Sequence, residues 1–245
     1  MKKQIVLKKK ILLGYSINEI SREEGLSRAT IYYHSKKFSG GKCLLPVFKI
    51  SATDIEGEVG IFAGDGSQYF YPKDYHYEIK IHFGNKNLEY AQYVKNLFSE
   101  CFNKRFRLQQ CKGGTVVRIR NKVIFNYFHL YLDYISSKKH CTVKLKTLKL
   151  PNKFLIGFLK GFFDTDGCLR YDSIGRRKRA FYTTTSKTLA DQIIMLLGQQ
   201  GVLAYLYVCR HPTNKTRYQI QLSDRSIDNF LKVIRPFKIR NLMGR

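Results

Sequence analysis

The chain has 245 residues, 44% of them hydrophobic, and its 44 Lys and Arg outnumber its 18 Asp and Glu to leave a formal net charge of +26. A surface this positive repels itself in the folded state, which favours a polyanionic partner, with nucleic acid first. The longest apolar stretches are too short to span a bilayer and the amino terminus lacks a signal peptide, so we expect a cytoplasmic protein without a membrane partner.

Three short helices are predicted within residues 5–37. Ser16, with Glu19 three residues later, forms a capping-box pattern at the start of the middle helix. Gly25 then supplies a turn, and Ser27 is placed to cap the last helix.

Residues 14–31 resemble the helix-turn-helix of resolvases and small repressors. That motif places its second helix in the major groove of DNA. The candidate DNA contacts on this helix are Arg28, Thr30 and Tyr32. The alternative is a plain helical hairpin that packs onto the main body of the protein.

A duplication follows a linker rich in Gly, Ser and Lys at residues 35–42. Each copy has an apolar helix, two strands, a second helix and two more strands, and the helices at 88–102 and 188–200 occupy equivalent places. The predicted domains are a helix-turn-helix module with its linker at 1–40, a first half-domain at 41–150 and a second at 151–245.

Two nine-residue stretches, 58–66 and 159–167, each end in Asp-Gly after an apolar helix. Start signals for the two helices are found at Thr53 and at Pro151. Glycines four residues apart lie on one face of a helix and allow two helix backbones to approach closely. These glycines are Gly60 with Gly64 in the first helix and Gly157 with Gly161 in the second.

Parallel packing of the two glycine faces would bring Asp65 and Asp166 side by side at one edge of the protein. Both acids would lie at a helix carboxyl terminus, where the macrodipole is negative, so they would need a cation. Oxygen ligands suit Mg²⁺, and metals held there could activate water and stabilise the leaving oxygen of a scissile phosphate. A single Asp-Gly would indicate only a helix end, but two copies on glycine-spaced helices argue against that alternative.

The two stretches resemble the paired motifs of LAGLIDADG homing endonucleases. The second matches closely, whereas the first departs at Glu58 and at Ala63, which stands in place of the first acid. In the family only the later acid is catalytic, and Asp65 and Asp166 occupy that position. Their separation, 166 − 65 = 101 residues, fits two half-domains fused in one chain, so a monomer is expected.

The resemblance implies an α+β fold of two pseudo-symmetric αββαββα half-domains with saddle-shaped antiparallel sheets, preceded here by the small all-α helix-turn-helix. It also implies that the backbone carbonyls of Gly64 and Thr165 face the metal. Family members place a basic residue from each half near the cleavage site. The candidates are Lys144 or Lys146 in the first half and Lys238 or Arg240 in the second.

Each half would present its sheet to the major groove, which admits a two-stranded ribbon. Polar side chains that alternate with apolar ones along the strands or lie in their hairpins are the candidate DNA contacts, although each is equally explained as part of a solvated strand face. In the first half they are Lys80, His82, Arg105, Arg107, Lys112, Arg118 and Arg120. In the second half they are Arg170, Arg176, Arg177, Lys178, Arg179, Lys215, Arg217, Gln219 and Gln221.

The resulting hypothesis is a site-specific homing endonuclease that makes a Mg²⁺-dependent double-strand break in a long DNA target during intron homing. One alternative is a transcription regulator on the same scaffold without nuclease activity, which the helix-turn-helix favours. The other is an intron maturase, since the same basic sheets could bind intron RNA. Relatives that only regulate tend to lose the acids, so the presence of Asp65 and Asp166 favours the enzyme.

Overall fold

The computed structural model describes residues 6–8, 10–11, 17–38, 57–72, 76–85, 87–172, 177–210 and 216–239. The chain divides into two compact units, Met1–Lys49 and Ile50–Arg245. No helix within the described ranges is both long enough and apolar enough to cross a membrane.

The amino-terminal unit contains helices α1 (Ile17–Glu24) and α2 (Arg28–Phe38). The turn between them uses Gly25, whose φ of +65° lies in the left-handed region that favours glycine. Ser27 caps α2 as predicted, because its Oγ accepts a hydrogen bond from the backbone nitrogen of Thr30 at 3.1 Å. Two helices joined by a three-residue turn meet the first requirement of the helix-turn-helix prediction, and its DNA-binding role stays a prediction.

A small apolar core holds this unit together. Helical residues at 6–8, 10 and 11 contribute to it, and Ser16, the predicted cap of the middle helix, lies outside the described residues. The buried side chains of the core are Leu7, Ile11, Ile20 and Ile31.

The first half of the larger unit has the predicted αββαββα order. Its elements are α3 (Glu58–Asp65), β1 (Gly66–Tyr71), β2 (His76–Gly84), α4 (Leu88–Cys101), β3 (Arg107–Cys111), β4 (Gly114–Arg120) and α5 (Lys122–Tyr131). The side chain of Asn121 caps α5 by accepting hydrogen bonds from the backbone nitrogens of Val123 and Ile124.

A short connection joins the two halves. Strands β5 (Leu132–Asp133) and β6 (Lys144–Leu145) pair antiparallel as a small ribbon. Between them lie a 3-10 turn (Ser136–Lys138) and the short helix α6 (Lys139–Thr142).

The second half repeats the order of the first. Its elements are α7 (Asn152–Asp166), β7 (Gly167–Asp172), β8 (Arg177–Thr184), α8 (Lys187–Gln199), β9 (Ala204–Arg210), β10 (Thr216–Leu222) and α9 (Ile227–Ile234), followed by a 3-10 turn (Phe237–Ile239). Helix α7 starts directly after Pro151, as the sequence predicts, whereas Thr53, the predicted start signal of the first motif helix, lies outside the described residues.

Each half builds one antiparallel sheet of four strands. The strand orders are β1-β2-β4-β3 and β7-β8-β10-β9, so the two sheets have the same topology. The register is also the same, because Gly66 pairs with Ile81 in the first sheet and Gly167 pairs with Tyr182 in the second. Residues of the two halves can therefore be compared position by position.

Helices α3 and α7 pack backbone against backbone. A Cβ atom on Gly60 would lie 2.1 Å from the carbonyl oxygen of Phe158, and one on Gly161 would lie 2.0 Å from that of Gly57, so neither position has room for a side chain. We call this contact the glycine seam, and it consists of Gly57, Gly60, Gly64, Gly157 and Gly161. The predicted glycine faces are confirmed, and Gly57 extends them.

Aromatic packing fixes the other side of each motif helix. Phe62 of α3 stacks on Phe128 of α5, with ring centroids 4.0 Å apart. Phe163 of α7 packs against Phe230 of α9 in the equivalent place, at 4.9 Å. With the seam on one side and these rings on the other, the last turns of α3 and α7 are held in place.

Candidate metal centre and nucleic-acid interface

The glycine seam ends at two carboxyl groups. Asp65 is the last residue of α3 and Asp166 the last of α7, and both are half-buried. A Cβ atom on Gly64 would lie 2.2 Å from Oδ2 of Asp166, so the end of one helix touches the acid of the other. Burial, with the charge of Asp166 added, raises the pKa of Asp65 to about 6.

These acids suit a hard cation. Within the described part of the chain, Oδ2 of Asp166 is buried and has no hydrogen-bond partner, so it is an oxygen that could bind a cation. Burial raises the pKa of Asp166 as well, and the hydroxyl of Thr165 and the charges of Lys139 and Lys238 offset that shift only in part. The described residues contain no cluster of three or more His, Cys, Asp or Glu, so a cation here would also need other oxygens, such as backbone carbonyls.

A lysine that sequence reasoning missed closes the carboxyl end of α3. The Nζ of Lys139 donates hydrogen bonds to the carbonyl oxygens of Phe62 at 2.8 Å, Ala63 at 2.6 Å and Gly64 at 2.9 Å. An ammonium at this end of a helix complements its negative dipole. Burial lowers the pKa of Lys139 to about 8, and the two acids oppose that shift.

Lys238 has the same place in the second half. Its Nζ donates to the carbonyl oxygens of Thr165 and Gly167, both at 3.0 Å. Burial lowers the pKa of Lys238, against the charges of nearby Asp164 and the two terminal acids. The candidate centre therefore contains two carboxyl groups and two ammonium groups, one of each from either half.

Asp164, the first acid of the second motif, has a structural contact. Its Oδ1 accepts a hydrogen bond from the backbone nitrogen of Lys238 at 3.0 Å, which fixes the turn that carries this lysine. Ala63 occupies the equivalent position in the first half, and its methyl side chain cannot accept such a hydrogen bond. Lys139 is instead delivered by α6, which explains how the first motif can do without that acid.

Glu58, the other departure from the motif, is a buried acid at the start of α3. Its Oε1 accepts a hydrogen bond from the hydroxyl of Tyr127 at 2.9 Å. The amino end of a helix favours a negative charge. Glu58, which stands where the motif usually has an apolar residue, is thus stabilised by Tyr127 and by the helix dipole. It lies at the opposite end of α3 from Asp65.

The structure corrects the placement of the basic residues expected in the first half. Lys144 pairs with Asp133 at 3.3 Å, and Lys146 donates to the carbonyl oxygen of His129, because the pairing of β5 with β6 holds both on that ribbon. Neither is brought to the acids. Arg240, the alternative to Lys238, lies outside the described residues.

One sequence signal could have narrowed the search to Lys138 and Lys139. They lie 138 − 65 = 73 and 139 − 65 = 74 residues after Asp65, and Lys238 lies 238 − 166 = 72 residues after Asp166. The two carbonyls expected to face a metal, those of Gly64 and Thr165, are the same ones that accept from these lysines. A carbonyl oxygen has two lone pairs, so this contact leaves one available.

The first sheet has a polar outer face. Lys80 pairs with Arg118, and Arg118 pairs with Arg107, so three cations form a row across β2, β4 and β3. His82 lies on the same face as Lys80, opposite the buried side chain of Ile81. Lys112 is in the β3–β4 hairpin turn, as predicted, and Arg120 lies on the same face at the end of β4.

Two residues depart from what the sequence predicts for this sheet: Arg105 lies off the polar face, and Glu78 is a buried acid on it. Arg105 precedes β3 and lines a shallow cavity with Lys95 and Asn96 of α4, beside the helix. Glu78, which sequence reasoning passed over, is an acid on the same face as Lys80 and is only 1% exposed. Burial would raise the pKa of Glu78, but neighbouring cations outweigh it and hold the pKa below its usual value.

The second sheet places most of its predicted residues on the equivalent face. Arg170 pairs with Arg179, and Gln219 and Gln221 follow Arg217 on β10 with the same alternation. The members of this face are Arg170, Arg177, Arg179, Arg217, Gln219 and Gln221.

Lys178 requires a correction. It lies one residue out of phase with that face, and its Nζ is 3.3 Å from Oδ1 of Asp228 on α9, behind the sheet. Arg177 is also engaged, at 3.2 Å from Oδ2 of Asp224. Arg176 and Lys215 lie outside the described residues.

In the amino-terminal unit, Arg28, Thr30 and Tyr32 are all exposed on α2. Thr30 also shares a hydrogen bond with Ser27 at 2.8 Å between their hydroxyl oxygens. These residues are accessible to a partner, and their DNA contacts stay a prediction.

The two αββαββα repeats, joined by glycine-faced helices that end in paired acids, agree with the fold that the resemblance to LAGLIDADG proteins implies. Residues 153–235 match the family model described as a LAGLIDADG-like domain. The resemblance to this family is therefore confirmed for the second half, which contains the second motif. The first half shares the fold of the second.

Solved structures of homing endonucleases share this fold. The chain is similar to I-DmoI in complex with DNA and Ca, with a TM-score of 0.57, 18% identity and coverage of 78% of this chain and 97% of that one. It is also similar to the LAGLIDADG homing endonuclease I-GzeII in complex with its DNA target, with a TM-score of 0.51, 11% identity and coverage of 76% and 86%.

Two curated relatives come from Methanocaldococcus jannaschii. An uncharacterised protein is 24% identical over 164 residues, which cover 65% of this chain and 59% of that protein. A probable translation initiation factor is 27% identical over 158 residues, which cover 57% of this chain and 13% of that protein. The chain thus spans less than two thirds of the length of either relative.

Proposed function

We propose that this protein is a metal-dependent, site-specific DNA endonuclease of the homing type, which makes a double-strand break in a long target. The observation that carries the proposal is the meeting of Asp65 and Asp166 at the end of the glycine seam. The similar structures I-DmoI and I-GzeII were solved with DNA. The net charge of +26 suits the same polyanion.

Asp65 and Asp166 would hold divalent cations, with Mg²⁺ as the expected species and the carbonyls of Gly64 and Thr165 as further ligands. When bound, such a cation supplies Lewis-acid stabilisation of the transferring phosphoryl group and lowers the pKa of bound water. Similar structures were solved with Mn, Mg and Ca, which supports a divalent cation.

Lys139 and Lys238 would act from the protein side. Each holds the carbonyl at the end of a motif helix and places an ammonium beside the acids. An ammonium there can stabilise charge that develops on a phosphate oxygen or orient a water molecule by donating to it. Because the two halves supply one acid and one lysine each, a single chain contains the groups for both strands, which supports a monomer.

The two sheets would hold the duplex. Arg and Lys suit guanine edges and phosphates, and Gln suits adenine, so the outer faces of both sheets can contribute position and sequence discrimination. The amino-terminal helices would dock beside this footprint and lengthen the contacted site.

The test compares cleavage with binding. A duplex made by joining the DNA that flanks the reading frame is the natural candidate target, because a homing enzyme's own insertion site reveals it. Asp65→Asn and Asp166→Asn should abolish double-strand cutting while leaving the dissociation constant for this duplex unchanged. Asp133→Asn, which neutralises an exposed acid paired with Lys144, is the matched control. Normal cutting by both variants would show that the catalytic assignment is wrong.

A DNA-binding regulator is the second candidate, favoured by the two helices of the amino-terminal unit and the three-residue turn between them. A regulator would bind duplex DNA without cutting it, and its reading frame would not lie within an intron. Gel-shift assays with duplex DNA and with intron RNA separate both candidates from a maturase, which would prefer the RNA.

A further inference from the structure

An acid lies in the middle of the cationic face of the first sheet. Glu78 is on the same face of β2 as Lys80 and His82, and its side chain is only 1% exposed. The Nζ of Lys80 is 3.1 Å from Oε2 of Glu78, and Nε of Arg120 is 3.5 Å from Oε1. Arg118 also pairs with Oε1 through Nη2. One carboxylate therefore binds three cations.

The contacts continue beyond these pairs. Arg118 donates from Nη1 to Oε1 of Gln109 at 2.8 Å. The Nζ of Lys80 is 4.8 Å from the ring centroid of Tyr69, within the range of a cation–π contact. A continuous band of five side chains crosses all four strands, from Tyr69 on β1 to Gln109 on β3.

Such an acid opposes general attraction to DNA. A carboxylate on a surface that meets phosphates is repelled by them, and it also occupies cations that could otherwise contact phosphates. The acid has one advantage, which is that it orders the cations in advance. Lys and Arg side chains otherwise lose much rotamer entropy when they bind a ligand. Held in place by Glu78, Lys80 and Arg118 have lost that freedom before the ligand arrives.

The second sheet does without this arrangement. By the shared register, the position of Glu78 is taken by Arg179, that of Lys80 by Phe181 and that of Arg118 by Gln221. The same fold forms with an arginine in place of the acid, so Glu78 is not required by the topology. The contribution of Glu78 is therefore specific to the first half.

We propose that Glu78 is a positioning residue for sequence discrimination: it holds Lys80 and Arg118 toward base edges of the first half-site, preferentially guanine, and keeps them from gripping phosphates. The proposal rests on the proposed function, since it concerns the same DNA. Guanine is the expected base because its O6 and N7 accept from Arg and Lys in the major groove.

The experiment measures selectivity and salt dependence in EDTA, with a pool of randomised duplexes as the probe. Wild-type protein first selects its preferred sequence from the pool. Glu78→Gln should then bind random duplex more tightly, with a salt slope steeper by about 0.9 for each cation released to a phosphate. Its discrimination for guanine in the first half-site should fall by at least about fivefold.

Asp228→Asn is the matched control. It makes the same change in net charge and breaks the ion pair with Lys178, but on α9 behind the second sheet. It should leave the selected sequence and the salt slope as in wild type. A loss of guanine discrimination in this variant equal to that of Glu78→Gln would overturn the proposal, because charge alone would explain the effect.

Arg118→Lys tests the same proposal if Glu78→Gln does not fold. It keeps the charge but loses the planar fork that reaches both Glu78 and Gln109. Discrimination for guanine should fall while binding to random duplex stays within about twofold. Unchanged selectivity in either folded variant would overturn the positioning role. If wild-type protein selects no duplex at all, the proposed function fails, and this inference fails with it.

Discussion

The carboxyl group of Asp65 should destabilise the folded protein when no metal is bound. Folding raises its pKa from 3.8 to about 6 through burial and the nearby Asp166. Since the folded state holds this proton more tightly than the unfolded state, the proton's stabilising contribution is full at low pH. It is lost as the pH rises through the folded pKa, and a shift of about 2 units corresponds to about 3 kcal/mol.

Asp65→Asn removes this penalty by removing the charge. In EDTA, the free energy of unfolding should rise by up to about 3 kcal/mol at about pH 7.5. At about pH 4, where the folded wild type is protonated at this site, the advantage of the variant should shrink by about 2 kcal/mol. Comparing the two pH values cancels any effect of the amide that does not depend on pH.

Urea denaturation followed by circular dichroism measures these free energies. Asp133→Asn neutralises an exposed acid 3.3 Å from Lys144 and should show no comparable change with pH. A difference between Asp65→Asn and wild type that stays constant from about pH 4 to 7.5 would refute the reasoning, because the acid would then carry no folding penalty.

Three further predictions follow from the seam, the lysines and the amino-terminal unit. Lys139→Met or Lys238→Met should lower single-turnover cleavage about 10²-fold without loss of affinity, and an equal loss in Lys144→Met would contradict these roles. Gly60→Ala should destabilise the protein by about 1–3 kcal/mol in thermal unfolding. Gly198→Ala, whose Cβ would meet nothing within 4 Å, should be neutral or stabilising. Deleting residues 1–40 should weaken DNA binding and reduce its salt slope with the cleavage position fixed, and an unchanged slope would count against docking of this unit.

The sequence predicts the glycine seam and the paired acids because their signals are local. Glycines four residues apart define a helix face, and an Asp-Gly pair marks where that helix ends. Once both helices have such a face, close packing brings Asp65 and Asp166 together without knowledge of the rest of the fold. The strand alternation around Ile79 and Ile81 is local in the same way.

Lys139 could not be found by this reasoning because its position depends on the path of the connection between the halves. Whether Lys139, Lys144 or Lys146 reaches the acids depends on the β5–β6 pairing, in which Leu132 meets Leu145. With this pairing, Lys144 contacts Asp133 and Lys146 contacts the carbonyl of His129, so neither reaches the acids. The spacing of Lys238 from Asp166 points to Lys138 and Lys139 alike, so it narrows the choice without deciding it.

Glu78 was missed for a related reason. Alternation alone places it among exposed polar residues, where an acid would be unremarkable. Its pairing with Arg118, which is 40 residues away in the chain, forms only because β2 pairs with β4. Lys178 was assigned to the wrong face of the sheet. It lies in a run of basic residues, 176–179, in which the alternation of polar and apolar side chains cannot be seen, and it pairs with Asp228 on α9.

At Gly57, Gly60 and Gly161 the contact between α3 and α7 has backbone atoms on both sides, so no side chain there can be trimmed to alter it. The distance between the two helices is therefore set by the thickness of the polypeptide backbone. If the protein cuts DNA as proposed, substitutions in the sheets could change which duplex is recognised while the spacing between the two strand breaks stays the same. Recognition and the geometry of cutting could then evolve independently.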